Sequence, residues 1–248
     1  MKYTTLIGEF RIKELQKALG SNTWPEFMQH DQIVNKYWHL LYTDFLDFQF
    51  AFIYKDETVG IGNSIPLNWQ RSLKELPDSG LDWAIEKAST DFKYGSNTNL
   101  LIGLQILINK KYQGRGISFD MLQIMKNIAR ANGIDNVALP VRPTLKSKYP
   151  LIQIDDYISW LNKDGLPYDP WLRVHIKAGG KIVGICKRSM DISGSVSEWE
   201  KWAKSEFPGT GDYVLDGALI PVSINKEEDT GRYVEPNVWI IHNLKESV

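Results

Sequence analysis

The feature that most constrains this chain is an apolar run, Leu100 to Ile108, that leads through Asn109-Lys110-Lys111 into Tyr112-Gln113-Gly114-Arg115-Gly116-Ile117-Ser118. A run of that length with almost no polar residue reads as a central strand covered on both faces. From Ser118 onward, Met121, Leu122, Met125, Ile128 and Ala129 form one helical stripe that Asn132-Gly133 closes. The unit is therefore strand, glycine loop, helix. Two glycines at such a junction expose backbone N–H groups, and the helix N-terminus behind them adds about half a positive charge. A phosphate or pyrophosphate suits that place. Lys110, Lys111 and Arg115 add local positive charge to a chain whose net charge is −1.

That overall neutrality, with no long run of lysine and arginine, argues against a general nucleic-acid or anionic-membrane binder. No segment approaches the roughly 18 uninterrupted apolar residues of a membrane span, and the N-terminus lacks an apolar targeting core, so a cytoplasmic protein is expected. Cys186 is the single cysteine, which excludes an intrachain disulfide and a thiolate metal cluster; no metal site is expected. It falls within Lys181 to Cys186, which reads as a buried strand, a poor setting for a nucleophile.

Residues 1 to about 45 are aromatic-rich and mostly helical in pattern, with Trp24 and Trp38 expected to pack there. Phe48 to Tyr54 and Ile61 to Leu67 read as a β-hairpin lacking the usual Asn-Gly or Asp-Gly turn. Val137, Leu139 and Val141 alternate along another strand, where Pro140 and Pro143 remove donors and predict incomplete pairing. A strand that stops pairing opens a gap. Asp169-Pro170 reads as an N-cap with proline in the first turn of a helix that Gly179-Gly180 ends. Ser197-Glu198-Trp199-Glu200 has capping-box spacing. Two strands, near Ala218 to Ile224 and Tyr233 to His242, flank a polar turn. No repeat or linker divides the chain, so one domain, 1–248, is expected, with an insertion at 144–168 and an extended C-terminal part at 187–248.

The order of elements and the loop resemble the GNAT acyltransferase superfamily, whose signature is Gln or Arg, two residues, Gly, one residue, then Gly or Ala. Gln113-Gly114-Arg115-Gly116-Ile117 matches, with Ser118 in place of the final small residue. The resemblance implies an α/β (α+β) fold, a mixed and mostly antiparallel central sheet flanked by helices, with a V-shaped opening between the strand ending at Ile108 and the strand Val137 to Val141. It implies acetyl-CoA or another acyl-CoA as co-substrate. The backbone of Leu107 and Ile108 would pair with the pantetheine arm, while amides of Gln113, Gly114, Arg115, Gly116, Ile117 and Ser118 hold the pyrophosphate.

Asp169 to Gly179 resembles the family's late helix, in which a tyrosine four residues before a glycine protonates the departing thiolate. His175 stands in that place, and an imidazole with a pKa near 6.5 suits proton transfer. The residues alone leave a carbonyl-held core histidine equally open. No carboxylate lies near Gly103 to Gln105, where many amine acetyltransferases carry a general base. The insertion and long tail are also similar, more loosely, to GNAT-like polyketide-loading domains, in which a threonine and a histidine are implicated; Thr144 and His175 sit comparably, although Thr144 also fits a capping or turn hydroxyl. The expected reaction is direct acyl transfer to a small-molecule or peptide amine. The alternatives are a malonyl-CoA decarboxylase, a thiol acyltransferase acting on a carrier protein, or a non-catalytic acyl-CoA sensor. The acceptor's wall is expected from 68–98 and 144–168, with Trp69, Trp83 and Trp160 as candidates.

Overall fold

A computed structural model of the chain describes residues 3–20 and 24–245; Met1 and Lys2, where the reading of the N-terminus began, lie outside them. Its strands are β1 (Thr4–Ile7), β2 (Phe50–Tyr54), β3 (Glu57–Leu67), β4 (Leu100–Ile108), β5 (Asn136–Val141), β6 (Lys181–Gly194), β7 (Gly211–Tyr213), β8 (Val222–Asn225) and β9 (Thr230–Asn243). They form one sheet in the order β1-β2-β3-β4-β5-β9-β8-β7, with β6 also pairing to β9. Every pairing is antiparallel except β4 with β5. The fold class is the mixed, mostly antiparallel one expected.

The β2–β3 hairpin turns through Lys55 and Asp56, both with positive φ (49° and 64°), so it makes the tight turn without glycine. The strand β1 falls in a region that patterning reads as helical. Its four residues bury only Leu6, too little alternation to register as a period of two. The strand β6 extends eight residues beyond Cys186, because a register shift between Cys186 and Met190 breaks the alternation there. The C-terminal part is built into the sheet: β9 lies beside β5 and carries β6 and β8 as well.

Helices cover both faces. On one, α4 (Ile117–Ala131) and α6 (Pro170–Lys177) press Met121, Met125 and Leu172 onto Leu101, Val137 and Ile240. On the other, α1 (Ile12–Gly20) and α3 (Gly80–Lys93) bury Ile12, Ala84 and Ala88 against Ile61, Ile65 and Trp239. A third cluster gathers Phe27, Phe207 and Tyr233 around Trp199 of α7 (Val196–Ala203). The capping box of α7 is formed by Ser195 and Glu198, two residues before the expected Ser197 and Glu200. Of the two remaining helices, α2 (Gln32–Tyr37) precedes the hairpin and α5 (Ile154–Ser159) lies in the insertion. No helix among the described residues is long and apolar enough to cross a membrane.

Candidate active site

The strands β4 and β5 pair only at Leu101 with Val137 and Ile102 with Ala138, and then part. A bulge in β4 and a proline in β5 mark the separation, and a glycine sets how closely the strands approach before it. In β4, Asn63 of β3 faces Gln105 while Ser64 faces Gly103, so Leu104 is an extra residue that bends the strand. At Gly103 a Cβ would lie 2.5 Å from Leu139 Cδ2 and 2.6 Å from Met125 Sδ, so only glycine lets β5 and α4 approach the strand there. In β5, Pro140 has no N–H to donate, although the strand keeps its register with β9 through Val141.

The gap opens into a cavity of about 830 Å³. Gly103 through Ile108 forms one wall, and Leu139 through Arg142 faces it, with Trp24, Trp38 and Trp171 supplying aromatic surface. The α1 helix closes over β4 where Gln16 Nε2 donates to Gln105 Oε1 at 2.9 Å. Leu107 and Ile108 both line the cavity, as does Gln113, whose Nε2 donates to the Ile108 carbonyl at 3.1 Å.

The glycine loop is exposed from Gln113 to Gly116, while Ile117 anchors the start of α4 in the core. Gly114 and Gly116 have φ of 75° and 79°, a left-handed conformation in which other residues are strained, and nothing occupies the space a Cβ would take. The first turn of α4 therefore presents its free N–H groups, and the dipole they express, to solvent beside the cavity. Lys111 contributes less positive charge than expected. Its Nζ lies 2.7 Å from a Glu57 oxygen, and that carboxylate also accepts from the Tyr112 hydroxyl. Arg115 lies over the Tyr112 ring, 5.5 Å from its centroid.

Of the two expected catalytic side chains, the structure brings one to the cavity. Thr144 lines it and supplies the sole hydroxyl among the described lining residues; its Oγ1 lies 3.4 Å from Asp169, the N-cap of α6. His175 corrects the expectation. It is 0% exposed and does not line the cavity; its Nδ1 lies 3.0 Å from His242 Nε2, and Trp171 stands one turn before it with its ring 4.2 Å away. The helix α6 thus turns Trp171 to the cavity and His175 into the core. Burial, His242 and Lys126 hold the His175 imidazole well below its ordinary 6.5, and burial lowers His242 to about 3. A neutral, enclosed imidazole pair is a structural element and a poor proton shuttle.

The tryptophans near the cavity also differ from those expected. Trp69 stacks edge-on with Trp83, which meets Trp239, and Trp160 packs among Tyr149, Tyr157 and Tyr168 within the insertion. None of the three lines the cavity, whereas Trp24, Trp38 and Trp171 do. Cys186 is buried, its thiol pushed well above the ordinary range by desolvation and by Asp78.

Two polar groups that patterning did not single out border the cavity. Glu235, 1% exposed, accepts from Arg142 Nε at 3.0 Å, from the Tyr233 hydroxyl at 2.8 Å and from Asn237 Nδ2 at 3.1 Å. Behind the wall made by Met28, Val34, Leu81 and Met190, Asp31 caps α2 through Val34 N at 2.8 Å, and Asp82 accepts from Asp191 N at 3.2 Å. Asp31 Oδ2 and Asp82 Oδ1 are buried without a donor. A proton shared between the two carboxyls supplies it, and burial with the neighbouring Asp31 charge raises Asp82 to about 8. Among the described residues no cluster of His, Cys, Asp or Glu fits a metal ion.

No family model matches the chain. It is 29% identical over 253 residues to the arginine N-acetyltransferase avaD of Aspergillus versicolor, an alignment covering 90% of this chain and 86% of that one. The loading GNATL domain of CurA from Lyngbya majuscula superposes with a TM-score of 0.65 at 17% identity, over 99% of each chain. The GphF GNAT-like decarboxylase, solved in complex with isobutyryl-CoA, gives 0.59 at 14% identity, over 98% of this chain and 100% of that one. The fold, with the splayed fourth and fifth strands and the glycine loop between them, is that of the GNAT acyltransferases.

Proposed function

We propose that the protein transfers an acetyl or other short acyl group from acyl-CoA to the amine of a small acceptor. The observation that carries this reading is the divergence of β4 from β5 beside the exposed loop at the N-terminus of α4. An extended pantetheine arm fits along the unpaired edge of β4 at Leu107 and Ile108. The loop amides from Gln113 to Ser118 then lie where a pyrophosphate would end, favoured by the dipole of α4. The similarity to a fungal arginine N-acetyltransferase supports an amine as acceptor.

The chemistry follows from position. With the thioester held along β4, a strand N–H polarises its carbonyl and the acceptor nitrogen attacks the carbonyl carbon. The oxyanion of the tetrahedral intermediate keeps that hydrogen bond. Collapse breaks the C–S bond and releases the thiolate. Thr144, the hydroxyl that lines the cavity, is the hydrogen-bond donor assigned to that thiolate on turning from Asp169, and the thiolate takes its proton from water. The proton leaving the nitrogen passes to water, since the one lining carboxylate, Glu235, is already engaged by three donor groups. The decarboxylase alternative needs threonine and histidine together, and here Thr144 lines the cavity while His175 is enclosed.

The test is mass spectrometry of the products after incubation with acetyl-CoA and a panel of small amines, and separately with malonyl-CoA alone. Acylated amine, with CoA released only when amine is present, is expected. Acetyl-CoA formed from malonyl-CoA without an acceptor would overturn the reading in favour of decarboxylation, and failure to bind either thioester would remove its basis.

A further inference from the structure

We propose that Arg142 receives a carboxylate of the acceptor, so that the acceptor is an amino acid or a close relative carrying both an amine and a carboxylate. The assignment of that carboxylate to an acceptor rests on the acyltransfer reading; the carboxylate site itself rests on the cavity. Arg142 directly follows β5 and lines the cavity with 18% of its side chain exposed. Its Nε donates to both Glu235 oxygens at 3.0 Å, and Nη2 donates to the Gly217 carbonyl at 2.5 Å. The Tyr233 hydroxyl also lies beside it, and the Trp24 ring centroid is 5.7 Å from its Cζ. A guanidinium has five N–H groups. Glu235, Gly217 and Tyr233 take at most three, which leaves at least two in fixed geometry for a planar anion entering the cavity.

The charges point the same way. The ionic side chains lining the cavity are Lys17, Arg142 and Glu235, an excess of one positive charge, and the carboxylate is the one already bound to Arg142. A cationic acceptor without a carboxylate finds no free acid there. Desolvating an arginine and a glutamate together contributes little to folding, and Tyr233, Asn237 and Gly217 fix this pair in one geometry at the cavity wall. The acceptor carboxylate would dock on Arg142 and leave its amine to reach the thioester beside β4.

The experiment compares matched acceptors that differ by the carboxylate alone, arginine with agmatine and 2,4-diaminobutyrate with 1,3-diaminopropane. It uses calorimetric binding to the full chain loaded with CoA, then kcat/KM with acetyl-CoA. The carboxylate member is expected to bind and react about 10- to 100-fold better, the range of a charge-assisted pair. In Arg142→Lys, which keeps the charge beside Glu235 and loses the fork, that ratio should collapse toward one, chiefly through KM. The double variant Arg142→Met with Glu235→Gln, which leaves no unpaired buried charge, should show the same collapse and guards against misfolding of the first. Turnover with no preference within either pair would overturn the carboxylate site while leaving acyl transfer standing. Carboxylate-dependent binding without turnover would uphold the site and remove acyl transfer. An Arg142→Lys defect confined to malonyl-CoA would assign the carboxylate to the donor and sink the acceptor proposal.

Discussion

The carboxyl pair behind the cavity wall makes Asp82→Asn the sharpest available perturbation. In the folded protein Asp82 keeps its proton up to about pH 8, whereas in the unfolded chain it releases it near 3.8. Between those values the folded state binds the extra proton, so raising the pH favours unfolding. One proton gives a slope of about 1.4 kcal/mol per pH unit, or about 2 kcal/mol between pH 6.5 and 8. Between pH 6.5 and 8 the His175–His242 pair contributes about 1 kcal/mol or less, and equally in both proteins. Both imidazoles are held below 6.5, so most of their cost falls under that pH, where the unfolded chain gains protons that the fold refuses. Lys146, lowered by burial to about 8, begins to contribute at the upper end of the window, again equally in both proteins. An asparagine keeps an acceptor for Asp191 N and supplies a permanent donor toward Asp31, with no proton to lose. Urea unfolding followed by tryptophan fluorescence should therefore show the wild type losing about 2 kcal/mol relative to Asp82→Asn across the window, with equal m-values. Parallel pH dependences for the two proteins would refute the shared proton.

Three further outcomes are expected. Gly116→Ala, at a φ of 79° with open space around the missing Cβ, should cost about 1–2 kcal/mol in urea unfolding and weaken acetyl-CoA binding in calorimetry, because the loop must leave its left-handed turn; unchanged affinity would remove the loop from the site. Thr144→Val should lower kcat by about 10²-fold while sparing the acetyl-CoA dissociation constant, if its hydroxyl serves the leaving thiolate; an unaltered kcat would free Thr144 of that role. His175→Ala should lower stability by about 1–3 kcal/mol and leave the shape of the kcat pH profile intact. Loss of a limb from that profile would return the imidazole to the chemistry.

The hairpin, β4, the loop, α4 and α6 were legible because each carries its own local signal: alternation, an uninterrupted apolar run, paired glycines, or an Asp-Pro start. What stayed hidden depends on residues far apart in the chain. Arg142 and Glu235 are 93 positions apart, and neither has a neighbour in sequence that hints at the other. Asp31 and Asp82 read as an ordinary cap and an ordinary first-turn acid of a helix, and only the packing of α2, α3 and β6 turns them toward each other. For His175 the local pattern carries no sign of which way the side chain turns. Counting back from Gly179 finds His175, but Trp171, four residues earlier, takes the place at the cavity, and His242 from β9 provides an inward partner that no local pattern announces.

Unpaired strand edges invite other chains, and this sheet disposes of them unevenly. Two of its outer edges are slight, β1 with four residues and β7 with three, each a poor template for another protein's strand, while the third, β6, is 14 residues long and pairs with β9 on one side. A further unpaired stretch, along β4 beyond Ile102, faces inward across the gap to β5. An edge that faces a gap inside the molecule lies out of reach of another sheet's edge, so its position removes the hazard.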